Sequence, residues 1–126
     1  METRATMLSP GLLFALDNAC RPIRAAFDRA PMLVGSALRK RTYRDVDVRL
    51  ILEDDDYARL TVERWSMISI AISAYLAAAT GLPVDFQVQQ MTAAAEKVGG
   101  LPRNPLGVRT IFDISGDAPG PDRPEP

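Results

Sequence analysis

From Asp45 to Leu52 the chain reads DVDVRLIL, and the alternation in this stretch limits the possible folds more than any other segment. In an extended strand successive side chains point to opposite faces, so Val46, Val48, Leu50 and Leu52 share one face while Asp45, Asp47 and Arg49 share the other. A strand of this kind needs an apolar layer on one side and solvent or a polar site on the other. Residues two apart lie roughly 7 Å apart along a strand, so Asp45 and Asp47 project together. Two carboxylates facing one way favour a cation between them. Ile51 breaks the alternation near the end, which suits cover on both faces there.

The flanking segments supply the rest of a sheet. PMLVG, Pro31 to Gly35, is a short apolar run that reads as a buried strand ended by Gly35 and Ser36. A basic loop follows: Arg39, Lys40, Arg41 and Arg44 place four of the chain's 15 positive charges between Ala37 and Arg44. That loop reads either as a solvated connection or as a surface facing polyphosphate. Upstream, Ser9 and Pro10 mark a helix start, and Leu12, Leu13, Leu16, Cys20, Ile23 and Phe27 recur at helical spacing. Pro22 predicts a kink or a restart inside that helix, with Arg21, Arg24 and Arg29 on its solvated side.

Downstream, Glu53 to Asp56 reads as an acidic connection and helix cap rather than a metal-binding run, since carboxylates favour the positive end of a helix dipole. A long helix is expected from Tyr57 to Ala79, its apolar side built from Leu60, Trp65, Ile68, Ile72, Tyr75 and Leu76, with Gly81 as its stop signal. Trp65 reads as a core residue. PVDFQVQQ, Pro83 to Gln90, alternates again and predicts a third strand carrying Asp85 on its polar face. A strand, helix, strand order implies a crossover that leaves the second and third strands parallel, which brings Asp85 level with Asp45 and Asp47. The first strand, joined by a hairpin-like loop, runs the other way and delivers Gly35 and Ser36 to the same end.

Met91 to Val98 reads as a short helix, Gly99 to Gly107 as a breaker-rich loop, and Val108 to Ile114 as a fourth strand or an extension. Gly116 to Pro126 holds four of the ten prolines and reads as a disordered tail. The fold class expected is therefore α+β: a small mixed sheet of three to four strands with helices packed on it, forming one domain over residues 1–115.

Composition narrows the chemistry. No histidine is present, which removes His-based triads and His-containing metal sites. The lone cysteine, Cys20, forbids an internal disulfide and reads as packing in a reducing compartment. A net charge of −1 gives no global pull towards nucleic acid or membrane. Neither a signal peptide nor a membrane span is recognisable, so a cytoplasmic protein is expected. Any chemistry must rest on carboxylates, hydroxyls and arginines.

Gly35-Ser36, eight residues, Asp45-Val46-Asp47 in a hydrophobic strand, then a helix and a strand bearing Asp85: this constellation resembles the nucleotidyltransferase fold of the DNA polymerase beta superfamily, and in size the minimal nucleotidyltransferases. The resemblance covers roughly Pro31 to Gln90. It implies transfer of a nucleoside monophosphate from an NTP to an acceptor, with release of pyrophosphate. It also implies Asp45, Asp47 and Asp85 as ligands of two Mg²⁺ or Mn²⁺ ions, with Asp85 assisting the attacking group. Gly35 and Ser36 would hold the triphosphate, aided by Arg39 and Arg44. The pattern departs from the family where Lys40 occupies an expected glycine, and 126 residues leave no room for an acceptor domain. The acceptor, whether RNA, protein or small molecule, then falls to Gly99–Ile114, where Arg103, Asn104 and Arg109 are the polar candidates, or to a partner chain or second copy. The alternative is a catalytically silent fold of the same type, acting as a binding or antitoxin-like partner.

Overall fold

The computed structural model describes residues 8–35, 45–98 and 103–108. It is a mixed α+β fold, with helices α1 (Pro10–Phe27), α2 (Asp54–Tyr57), α3 (Val62–Thr80) and α4 (Met91–Val98). Strands β1 (Met32–Val34), β2 (Val46–Leu52), β3 (Val84–Gln90) and β4 (Asn104–Pro105) form one sheet in the order β3-β2-β1-β4. β2 and β3 are parallel, and β1 is antiparallel to both β2 and β4.

The alternation in β2 divides the sheet into two faces. Val46, Val48 and Leu50 are fully buried together with Leu33 and Phe86, and α1 adds Leu16, Cys20 and Ile23 to the same core. On the opposite face, register sets Asp47 beside Asp85, Arg49 beside Gln87 and Ile51 beside Gln89. α4 begins directly after β3, and its Ala94 is buried near Ile51 and Met32. The far half of the polar face is thereby covered, which accounts for the apolar Ile51 at a position the alternation assigns to a polar side chain.

α1 starts where Ser9 accepts a hydrogen bond from Leu12 N at 3.2 Å. It continues through Pro22 as one helix to Phe27, without the restart that the proline suggests. Pro22 is exposed, and the carbonyl that loses its donor belongs to exposed Asn18, which water can satisfy. Arg29 is not on a solvated side. It is half-buried, and its Nε donates to Ile51 O at 2.6 Å.

The long helix expected from Tyr57 is two helices. Thr61 is extended and its hydroxyl accepts from Arg64 N at 3.2 Å, which starts α3 afresh, while Trp65 Nε1 donates to Tyr57 O at 2.6 Å and closes α2. Trp65 is buried between Tyr57 and Phe27, as a core residue. α3 ends at Gly81, whose φ of +75° provides the left-handed cap. It packs along the outer edge of β3, where Phe86 N donates to Ser73 Oγ at 2.9 Å and Val88 N to Ser69 Oγ at 3.1 Å. Two hydroxyls thus take the place of a further strand. Val62, Met67 and Ile70 remain exposed on α3.

The fourth strand falls at Asn104–Pro105, inside the segment read as a loop; Val108 is outside any strand, and residues 109–126, including the expected tail, lie outside the described residues. Among the described residues no helix is long and apolar enough to cross a membrane.

Candidate functional site

Three strands position the site. Asp47 is the register partner of Asp85 on β3 and of Val34 on β1, so its backbone has a strand roughly 5 Å away on either side. Val46 N donates to Pro83 O at 2.9 Å, fixing the start of β2 against β3. Gly35 follows Val34 with a φ of +78°, and a Cβ there would lie 2.3 Å from Asp47 Oδ2. Only glycine lets the turn pass this close to the carboxylate. Asp45 precedes β2 and is exposed.

Arg49 completes the arrangement. Its Nη1 donates to Asp85 O at 2.7 Å and to Val48 O at 3.0 Å, and its Nη2 donates to Asp85 Oδ2 at 3.3 Å and lies 3.7 Å from Asp47 Oδ1. Gln87 Nε2 reaches both carboxylate oxygens of Asp85, at 3.4 and 3.3 Å. The side chains are 15% exposed for Arg49, 27% for Asp47 and 41% for Asp85, so the guanidinium is the most enclosed member. Burial pushes the Asp47 carboxyl above its ordinary value; Arg49 opposes that rise, and the carboxylates of Asp85 and Asp45 add to it. Three carboxylates share the field of one guanidinium, and negative charge is in excess.

Whether these residues suit a divalent cation follows from the donor set. Among the described residues no group of three or more Asp, Glu, Cys or His side chains is gathered closely enough to hold a metal ion. The donor chemistry nonetheless fits: all available ligands are carboxylate oxygens, as a hard cation requires. A positive group already bridges Asp47 and Asp85, in the form of Arg49. Asp47 and Asp85, with Asp45 at the rim, are the residues that would hold such an ion.

A groove of about 560 Å³ runs from Asp45 and Asp85 along the outer edge of β3, walled by Ser66, Ile70 and Trp65. Among the described residues, no lysine or arginine lines it.

Other sequence candidates are placed elsewhere. Asp54 accepts from Thr92 N and Oγ1, tying α2 to α4, and Asp56 pairs with Arg59 at 3.7 Å on the surface, in keeping with a structural role for the acidic run. Asn104 is buried in β4. Arg103 is exposed beside a cavity of about 340 Å³ that Arg29 and Met91 also line. Ser36, Arg39, Arg44 and Arg109 lie outside the described residues. The bridging role of Arg49 and the support from Gln87 were not anticipated; the signal available was the placement of both on the polar faces of their strands.

No protein-family model matches the chain, and no curated protein or solved structure matches it significantly.

Proposed function

We propose that this protein is a metal-dependent nucleotidyltransferase that moves a nucleoside monophosphate from an NTP to an acceptor hydroxyl or similar group. The observation that carries the reading is the meeting of three segments: Asp47 lies level with Asp85 across parallel strands, and Gly35 is pressed against the Asp47 carboxylate. In this reading Asp45, Asp47 and Asp85 would hold one or two Mg²⁺ or Mn²⁺ ions, which supply charge neutralisation for the attacking and leaving oxygens. Gly35 allows a phosphate to approach the backbone, Ser36 adds a hydroxyl donor, and Arg39 and Arg44 contribute positive charge to the triphosphate. Asp85, the most exposed of the strand-borne pair, accepts the proton of the acceptor group as its oxygen bonds to the α-phosphorus and the bond to the β-phosphate oxygen breaks, releasing pyrophosphate. The neighbouring groove, which Asp45 and Asp85 line, is where the acceptor would lie. A cytoplasmic setting, with NTPs and magnesium at hand, suits this chemistry.

Incubation with each labelled NTP, Mg²⁺ or Mn²⁺ and a cell extract tests the reading. Label should pass to one fraction of the extract, and Asp47→Ala should abolish transfer while the protein stays folded. Transfer that survives this substitution rejects the assignment.

The ion pairs of Arg49 favour a second reading, in which the acidic pair is neutralised internally and the fold serves as a binding or antitoxin-like partner. Nucleotide titration separates the two, because an interaction module should not bind NTP in a metal-dependent way.

A further inference from the structure

Arg49 occupies the position between the two strand-borne carboxylates. Register places it one step beyond Asp47 on the same face, and two backbone carbonyls, Val48 O at 3.0 Å and Asp85 O at 2.7 Å, fix Nη1. That anchoring aims Nη2 at Asp85 Oδ2 and Asp47 Oδ1, 3.3 and 3.7 Å away. The planar fork of a guanidinium allows one nitrogen to be held by carbonyls while the other serves carboxylates. At 15% exposure the charge is also only partly screened by water.

We propose that Arg49 is a built-in counter-ion, which holds Asp47 and Asp85 together in the absence of a divalent ion and competes with that ion for their oxygens. The inference rests on the metal-dependent reading of the site, and it deepens that reading by naming what sets the affinity. A guanidinium and a hard cation require the same carboxylate lone pairs, and like charges a few ångströms apart repel. Binding must therefore draw the carboxylates away from Nη2 or proceed against the field of the arginine. Nη2 engages one oxygen of each carboxylate, Asp47 Oδ1 and Asp85 Oδ2, while Asp47 Oδ2 is turned to Gly35 and Gln87 Nε2 reaches both oxygens of Asp85. The result is a site that binds weakly by itself and tightens when a triphosphate draws Arg49 away from the pair.

The test is a titration of the full chain with Mn²⁺ alone, following free Mn²⁺ by electron paramagnetic resonance, for wild type, Arg49→Gln and Arg49→Lys. Arg49→Gln should bind Mn²⁺ about tenfold or more tightly than wild type, because a positive charge beside the ion is gone. Arg49→Lys, which keeps a charge, should stay within about threefold of wild type on the same argument. Thermal unfolding gives a second readout: without metal Arg49→Gln should melt below wild type, and saturating Mn²⁺ should raise its melting temperature by more. If wild type binds Mn²⁺ and Arg49→Gln binds equally or more weakly, Arg49 is structural and the inference is overturned while the metal-dependent reading stands. If neither wild type nor any variant binds Mn²⁺ alone, the inference falls; if Mn²⁺ also fails to bind with NTP present, the metal-dependent reading falls with it. Should Arg49→Gln prove unfolded, an Arg49→Lys affinity several-fold above wild type would also overturn the inference, because its charge is retained.

Discussion

Two acidic centres in this protein behave in opposite ways. Asp17, on the inner side of α1, is 1% exposed and accepts hydrogen bonds from Gly107 N at 2.8 Å and Val108 N at 3.4 Å, with Arg21 3.9 Å away. It fastens the segment after β4 to the first helix, and Gly107 is held so close that a Cβ would lie 3.1 Å from Cys20 O. Asp47 and Asp85, by contrast, are partly exposed, lie next to each other, and share one guanidinium. A carboxylate taken up by backbone donors completes the fold. A pair of neighbouring carboxylates adds repulsion to it, which the shared guanidinium of Arg49 offsets.

The largest expected contrast comes from removing each carboxylate. Asp17→Ala should destabilise the protein by about 3 kcal/mol, since it strands buried amide donors that had a charged acceptor. Asp85→Ala should change stability by less than about 1 kcal/mol, because a half-exposed pair contributes little. Urea unfolding of both variants checks this, and equal losses would erase the distinction between the two centres.

Gly35→Ala comes next. The left-handed backbone and the crowding against Asp47 Oδ2 should together cost about 1–2 kcal/mol. On the proposed function the variant should also lose nucleotide transfer, although alanine removes no side-chain group.

The buried side of the comparison also responds to alkali. Burial, then the nearby Asp17 carboxylate, pushes the Cys20 thiol from 9.0 up to about 12. Between those values the native state keeps a proton that the unfolded chain releases, so stability should fall as pH rises above about 9. Cys20→Ala should remove most of that slope, as read from melting temperatures across the alkaline range.

The smallest effect belongs to Asp47→Asn. The native carboxyl of Asp47 is raised above its ordinary value of 3.8, so the native state holds the proton more tightly than the unfolded chain. Stability therefore falls as pH rises from about 3.8 through the native value, and an amide escapes that penalty. Asp47→Asn should melt slightly above wild type at neutral pH and lose the advantage below about pH 3.8, as scans at both pH values would show.

Most of what positions the acidic pair was legible because it is periodic. The alternation in β2 and β3 set the faces, and the crossover rule set the parallel register that brings Asp85 level with Asp47. What escaped has long-range causes. Asp17 is a polar residue on a helix's buried side, and its reason lies 90 residues away at Gly107. β4 is two residues long and includes a proline, so no pattern announces it. Ser69 and Ser73 interrupt an apolar helix in sequence, yet their hydroxyls satisfy the free edge of β3. The break before Val62 depends on Thr61 and on Trp65 reaching back to Tyr57 O, a pairing that helical periodicity does not encode.

Crystals grown with Mn²⁺ and a non-hydrolysable NTP analogue, measured at a wavelength where manganese scatters anomalously, examine the acidic pair directly. An anomalous peak within about 2.0–2.3 Å of carboxylate oxygens from both Asp47 and Asp85, with Nη2 of Arg49 drawn away, is the expected result. Arg49 still lodged between the two carboxylates, with nucleotide and manganese elsewhere or absent, would contradict it.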